Sequence, residues 1–314
     1  MKVFIQVPCF NEEQTLPLVF EHMPKTLPGV DEVEWLIIDN CSTDNTVEVA
    51  KKLGVKHIVR QRRNMGLARS FRDGVDYALK HGADIVVNTD GDNQYPQDRI
   101  ADLIQPILRG EAEIVIGDRQ TAKIAHFSGF KKIMQRFGSW VVNKAAGTDL
   151  PDAASGFRAY SRKSLMMLNI VTTFSYCMET IIQAGNKRLK IVSIPITTNK
   201  KTRESRLFKN IWQHMNKSGQ AILRNFIMYK PHVIFITFAL VFGVGAVVPF
   251  GRFFALAIVE GTTRGHLQSL IFGTAMLVGC LLSIALLVIS DLLKTNRILI
   301  EDQLERLKEI QYKK

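Results

Sequence analysis

From Leu270 to Ser290 the chain runs for 21 residues without a charged side chain. At about 1.5 Å per residue, a helix of that length crosses a hydrocarbon core of about 30 Å. A second uncharged run, Val233 to Phe250, covers 18 residues, and apolar character resumes after Gly251-Arg252 as far as Val259. This predicts a helix that kinks near Pro249 or ends in an interfacial Phe253-Phe254 pair. A short link, Glu260 to Leu267, joins the two runs into a hairpin. Uncharged runs this long are unusual inside a water-soluble core, so the C-terminal third calls for a lipid bilayer as its solvent.

The rest of the chain has a different balance. Hydrophobic residues make up 46% of the whole sequence and charged residues 22%, a mixture that fits one polypeptide in two solvents. The net charge of +12 is unevenly placed: Asn199 to His232 holds eight Lys/Arg against the single acid Glu204. That block runs straight into the first apolar span. Its expected partners are therefore anionic headgroups or a phosphate-bearing lipid, not nucleic acid, for which no recognition motif is present. With Lys294 and Arg297 after the second span, the positive-inside rule predicts a multi-pass protein of the cytoplasmic membrane with both termini in the cytoplasm. The N-terminal apolar run ahead of Pro8 is too short for a signal-peptide core and reads as a first strand. Cys9, Cys41, Cys177 and Cys280 lie far apart without C-x-x-C spacing, which fits buried thiols in a reducing compartment.

Ahead of the spans, apolar runs alternate with helical patterns. Strands are predicted at Val3–Val7, Trp35–Asp39, His57–Arg60, Ile85–Thr89, Ile114–Gly117 and Lys190–Ile196. Helices are predicted at Thr43–Leu53, Leu67–Lys80 and Asp98–Leu108. This alternation predicts an α/β fold with a mostly parallel sheet covered on both faces. No G-x-G-x-x-G follows any strand, so a dinucleotide-binding fold has no support. Leu207 to Tyr229 has the pattern of an interfacial amphipathic helix, with packing on the catalytic core as the alternative. The expected organisation is a catalytic domain over residues 1–198, then a basic loop with a juxtamembrane helix over 199–230. Two spans follow over 231–291, and an amphipathic tail over 292–314. The tail's Ile300, Leu304, Leu307 and Ile310 read equally as a homo-oligomer seam or a solvated end.

The strongest chemical signal is Asp90-Gly91-Asp92-Asn93-Gln94, directly after the strand Ile85 to Thr89. Two carboxylates two residues apart, held in a turn, can converge on a hard cation, and the Gln94 carbonyl can add a third oxygen. Mg²⁺ or Mn²⁺ bound in this way keeps open positions for substrate phosphates. A second signal is Asp39, ending the strand Trp35 to Ile38, where ligands of open α/β sheets sit. Its carboxylate can accept an N–H from a nucleobase, and Pro8, Phe10, Asn11 and Glu12 end the first strand in the same crevice. Ser42 to Asp44 reads as a helix N-cap. Glu179 is equally a sugar-hydroxyl contact or an ordinary helix carboxylate.

Five motifs occur in order: Val7-Pro8-Cys9-Phe10-Asn11-Glu12; Ile38-Asp39-Asn40-Cys41-Ser42-Thr43-Asp44-Asn45-Thr46; Arg63-Asn64-Met65-Gly66-Leu67; Asp90 to Gln94; and Asp152-Ala153-Ala154-Ser155-Gly156-Phe157-Arg158. Together, over about residues 1–230, they resemble glycosyltransferase family 2. The similarity is to the branch containing dolichyl-phosphate mannose synthase and bacterial polyprenyl-phosphate glucosyltransferases. The resemblance implies a nucleotide-sugar-binding domain of GT-A type followed by the two-helix hairpin. Carried onto this sequence, Pro8, Phe10, Glu12, Ile37 and Asp39 would hold the nucleoside. Asp90, Asp92 and Gln94 would bind the metal, and Asp90, Gly91 and Asp92 the diphosphate. Arg119 would sit near the donor phosphates or acceptor, while Asp152 and Arg158, with Asp92, would frame the reacting centre. Arg203, Ser205 and Arg206 would take the lipid phosphate. Members often carry two acids where this chain has Asp39-Asn40, which weakens any assignment of the base but not of the class.

The expected reaction is an inverting, metal-dependent transfer of a hexose from a nucleotide sugar to undecaprenyl or dolichyl phosphate. UDP-glucose is the first candidate donor and GDP-mannose the second. A phosphate monoester is largely a dianion at pH 7, so it needs positioning and charge balance more than a strong base. A polysaccharide-elongating synthase would need more spans and a Q-x-x-R-W motif, which Gln135-Arg136-Phe137 does not supply. A non-catalytic nucleotide-sugar scaffold would not need the full set of acids and the basic loop.

Overall fold

The computed structural model describes residues 1–121, 129–172, 175–199, 219–220, 230–261 and 267–313. Arg203, Ser205 and Arg206, and nearly all of the helix expected over 207–229, lie outside the described residues. The chain divides into two units, Met1–Leu223 with Glu301–Lys314, and Arg224–Ile300.

The first unit is built on a seven-stranded sheet. Its strands are β1 (Lys2–Cys9), β2 (Glu32–Asp39), β3 (His57–Arg60), β4 (Ile85–Asn88), β5 (Ile114–Asp118), β6 (Arg158–Ser161) and β7 (Ile191–Pro195), in the order β3-β2-β1-β4-β6-β5-β7. Every neighbouring pair is parallel except those made by β6, which runs antiparallel to both β4 and β5. The expected mostly parallel sheet is therefore present, with one reversed strand that has no apolar run of its own. The reversal matters for position. Because β6 starts where β4 and β5 end, with Arg158 opposite both Asn88 and Ile116, the preceding loop 152–157 arrives at the carboxyl edge of the sheet.

Helices cover both faces. The first four are α1 (Leu16–Glu21), α2 (Thr46–Lys52), α3 (Leu67–Lys80) and α4 (Ile100–Leu108). The next three are α5 (Gly129–Ala146), α6 (Arg162–Met167) and α7 (Tyr176–Asn186). One core packs Val3, Ile5, Val7, Ile37 and Val87 against Leu16, Phe20, Leu103 and Ile104. On the other face Phe71 of α3 stacks on Tyr176 of α7 at 3.9 Å and meets Tyr160 edge-on at 5.5 Å. α3 approaches the sheet so closely at Gly74 that a Cβ there would lie 2.4 Å from Gln6 Oε1 and 2.8 Å from Ile38 Cδ1, so a larger residue would have to displace both side chains.

The second unit holds α8 (Pro231–Glu260) and the greater part of α9 (Leu267–Gln311), both long and apolar enough to cross a membrane. Burial within their apolar windows is only 6% and 11%, unlike the core helices of a soluble domain. α8 does not end at Phe253-Phe254. It continues through Pro249 to Glu260. Phe242 packs over Gly279 and Phe250 over Gly273, where the absent side chains admit the rings. The charged tail is no separate element but the end of the 45-residue α9. From Glu301 onward it belongs to the first unit. There Glu301 pairs with Lys187 at 3.0 Å, and Lys308 Nζ donates to the carbonyls of Leu165, Met166 and Leu168.

Candidate active site

The loops leaving β1, β2, β4 and β5 meet at one edge of the sheet, and the backbone there is unusual. Of five non-glycine residues with positive φ among the described residues, four lie in the loops that follow these strands: Asn11 (58°), Cys41 (65°), Asn93 (59°) and Gln120 (49°). Such conformations are unfavourable outside glycine and collect where a site dictates the backbone.

The loops after β1 and β2 are stitched together. Asn11 N donates to Ser42 Oγ at 2.9 Å, Glu12 N to Thr46 Oγ1 at 2.8 Å, and Thr43 N to Asn11 Oδ1 at 2.8 Å. The expected helix cap is present in part: Asp44 Oδ1 accepts from Thr46 N, the first residue of α2, at 3.0 Å. Ser42 Oγ and Asp44 Oδ2 also tie the two loops, accepting from Asn11 N and Glu13 N. At the end of β2, Asp39 is fully buried. Its Oδ1 accepts from Ser42 N at 3.0 Å, while Oδ2 has no hydrogen-bond partner among the described residues and lies 3.3 Å from Arg60 Nε. Asn40 is engaged at both ends of its amide, giving to Asn64 Oδ1 and accepting from Met65 N. Glu12 is buried, with Thr15 Oγ1 standing 2.6 Å from its Oε2 and 2.7 Å from Gly91 O. Pro8 and Phe10 are half-buried at the mouth of this crevice, whereas Ile37 is enclosed in the core two residues before Asp39.

Cys9 reports how closely the acids gather. Burial, and then Glu12, Asp39, Asp90 and Asp44 around it, push its thiol well above its ordinary value. Asp90 and Asp92 are half-buried on the turn after β4. Gly91 between them cannot be larger without crowding Cys9 Sγ and Glu12 Cγ, both 3.2 Å from its would-be Cβ. Asp92 closes its own turn through Gln94 N at 3.1 Å and holds the Gln94 amide at 2.9 Å. Among the described residues no group of three or more His, Cys, Asp or Glu forms a protein-only cation cage. Two carboxylates joined by oxygens such as the buried, unbonded Asn93 Oδ1 fit a hard cation that completes its shell with water and phosphate.

The reversed strand brings in the third component. Arg119, just after β5, grips Asp152 with Nε to Oδ2 at 2.7 Å and Nη2 to Oδ1 at 2.9 Å. Burial alone would raise the Asp152 carboxyl, but the guanidinium and the N–H groups of Arg119 and Ala154 hold it below the usual carboxylate range. Gly156 N donates to Tyr95 Oη at 2.8 Å, and Tyr176 Oη donates to Gly156 O at 3.1 Å. A Cβ on Gly156 would stand 3.4 Å from both carboxylate oxygens of Asp90. Asn88 Nδ2 donates to Gly156 O at 3.0 Å and to Tyr176 Oη at 2.7 Å, so Tyr95, Asn88 and Tyr176 support the acid turn. Asn88 and Tyr95 flank the Asp90 to Gln94 run in sequence, whereas Tyr176 lies far from it.

Arg158 is brought to the same loop from behind. It is fully buried and donates to the carbonyls of Ser155, Cys177 and Ala153 and to Thr180 Oγ1, all within 2.9 Å. Its guanidinium locks the Asp152 loop to α7. Glu179 is likewise enclosed, accepting from Val171 N, Thr172 N and Thr172 Oγ1. At the far side, Asn199 is bound to the acid turn through its N–H to Gln94 O at 2.9 Å and its amide to Asn93 O at 3.1 Å.

Known proteins share both the sequence pattern and the fold. The profile of "Glycosyl transferase family 2" matches residues 4–168. A UDP-N-acetylglucosamine–dolichyl-phosphate N-acetylglucosaminyltransferase of Methanococcus voltae is 27% identical over 217 residues, covering 62% of this chain and 85% of that protein. A dolichol-phosphate mannosyltransferase of Pyrococcus furiosus is 30% identical over 227 residues, covering 68% of this chain and 62% of that protein. Glucosyl-3-phosphoglycerate synthase from Mycobacterium tuberculosis, solved with Mn²⁺, UDP-glucose and phosphoglyceric acid, superposes with a TM-score of 0.56 at 19% identity. That superposition covers 72% of this chain and 78% of the other, and it identifies the fold as GT-A. With a matching profile over more than half its length, this chain is a glycosyltransferase belonging to glycosyl transferase family 2.

Proposed function

We propose that this enzyme transfers a hexose from a uridine diphosphate sugar, glucose being the first candidate, to a polyprenyl phosphate at the cytoplasmic face of a membrane. The observation that carries the proposal is the tie between the acid turn and the basic segment. Asn199 is hydrogen-bonded to Gln94 and Asn93, and Arg203 to Arg206 follow within seven residues. A chain of four to seven residues reaches at most about 13 to 25 Å, so a phosphate held by Arg203, Ser205 and Arg206 is within range of a donor on Asp90 and Asp92. The same segment leads into α8, which supports a lipid carrying that phosphate. The relatives named above act on dolichyl phosphates.

The nucleoside reading rests on Asp39. With Oδ1 taken by Ser42 and both ends of Asn40 engaged, the acceptor without a hydrogen bond among the described residues is Asp39 Oδ2, which Arg60 Nε approaches at 3.3 Å. Uracil presents one imide N–H, whereas guanine presents two donors on one edge, so the site favours uridine over guanosine.

In this reading Asp90, Asp92 and Gln94 would hold Mg²⁺ or Mn²⁺. The cation would supply charge neutralisation for the departing diphosphate. The acceptor's phosphate oxygen attacks the anomeric carbon as the bond to the nucleoside diphosphate breaks, inverting that centre. No proton has to be abstracted from a dianion. Asp152, ionised with both oxygens on Arg119, orients the reacting groups and offsets the charge of Arg119. Arg158 positions this loop from behind. The hairpin would place both termini on the cytoplasmic side.

The test is a panel of UDP- and GDP-hexoses with undecaprenyl or dolichyl phosphate, followed by NMR of the product's anomeric centre. Uridine donors giving an inverted glycosyl phosphodiester support the reading. A preference for guanosine donors, or retained configuration, overturns the corresponding part.

A further inference from the structure

The outward face of α5 is apolar, aromatic and basic at once. Ile133, Phe137 and Trp140, spaced for one face of a helix, are 66%, 56% and 60% exposed. Phe137 and Trp140 lie with their rings nearly parallel, 6.0 Å between centroids. Arg136 and Lys144 are exposed on the same side, and the helix has no Asp or Glu anywhere along its 18 residues. The opposite side, with Ser139, Val142, Ala145 and Ala146, is buried within the catalytic unit.

We propose that this face of α5 lies in the headgroup region of an anionic bilayer, a lipid contact separate from the two spans and the basic segment. A soluble surface seldom leaves three large apolar side chains in a row, two of them aromatic, without an occupant. Aromatic rings flanked by cations and free of acids match the interface of an anionic membrane, where rings sit at the acyl boundary and cations at phosphates. A protein partner would bring no comparable demand for the missing acids. The two apolar helices of the same chain supply the bilayer.

The contact bears on the active site through bonds already described within the unit. Ser139 Oγ of α5 accepts from Ala153 N, next to Asp152, at 3.1 Å. Asn143 of α5 holds Leu150 through both its amide groups, at 2.8 and 3.0 Å. A lipid-bound α5 therefore fixes the depth and orientation of the loop that carries Asp152. The inference concerns membrane contact and does not depend on which sugar or acceptor is used.

The test uses the full chain in phosphatidylcholine–phosphatidylglycerol liposomes, comparing wild type with Trp140→Phe. The emission lost in the variant isolates Trp140 from Trp35 and Trp212. Acyl-brominated lipids are expected to quench that component about twofold or more, while aqueous iodide leaves it nearly unchanged. Quenching by iodide and not by brominated lipid would overturn the proposal, since the face would be solvated. Protection from both quenchers would also overturn it, assigning the face to a protein contact such as a second copy of the chain.

Discussion

Arg119 and Asp152 face each other in a two-pronged ion pair that leaves neither carboxylate oxygen uncommitted, at 2.7 and 2.9 Å. The pair joins β5 to the loop ahead of the reversed strand, so it exists only because β6 runs against its neighbours. A carboxylate bound in this way is a poor proton acceptor, which supports the proposed orienting part of Asp152 over that of a base. Replacing Arg119 with Lys loses the fork and should lower turnover about 100-fold, measured under saturating donor and acceptor.

The same pair sets an acid limit on stability. Asp152 is held below its unfolded value of about 3.9, so its stabilising contribution is complete above that pH and lost as pH falls through the folded value. Arg119→Gln removes the cation and should move acid unfolding to higher pH, read by circular dichroism. An unchanged acid transition would contradict the assignment.

Gly156 tests the support behind the acid turn. Its added Cβ would touch Asp90 at 3.4 Å and Tyr176 Oη at 3.3 Å without a forbidden backbone angle. Gly156→Ala should raise the half-saturating Mn²⁺ or Mg²⁺ concentration about 10-fold, as disturbed outer contacts of metal ligands do, with little change in melting temperature.

Six of the seven strands could be read from apolar runs, because Val, Ile and Leu fill both faces of a covered parallel sheet. β6 could not, since Arg158-Ala159-Tyr160-Ser161 has no such run and pairs only through its neighbours. The positions of the acid turn and Asp39 were legible because each stands at the carboxyl end of an apolar strand. The structural part of Arg158 was not, because a buried guanidinium satisfied by carbonyls is indistinguishable in sequence from one facing phosphate. Likewise the tail was read as an amphipathic end. Its inward residues are Glu301, Lys308 and Tyr312, whereas Ile300, Leu307 and Ile310 are exposed.

Arg158→Met should therefore act first on folding. It strands the carbonyls of Ser155, Cys177 and Ala153, and a loss of about 3–5 kcal/mol is expected in denaturation of the detergent-solubilised protein. Lys308→Met, which frees the carbonyls at the end of α6, should cost less, about 1–3 kcal/mol, and leave nucleotide affinity unchanged.

On the proposed reading of Asp39 as the base contact, Asp39→Asn puts an amide donor beside the base's imide N–H. Calorimetric titration should show UDP binding weakened about 10-fold or more.

The central claim is a cation-dependent transfer onto a lipid phosphate by way of the acid turn. Its most direct test incubates the liposome-bound enzyme with radiolabelled UDP-glucose and undecaprenyl phosphate, with and without Mn²⁺, beside Asp92→Ala. The account predicts labelled glycolipid only with both the cation and intact Asp92. Undiminished labelling by Asp92→Ala, or labelling that persists in a chelator, would contradict it.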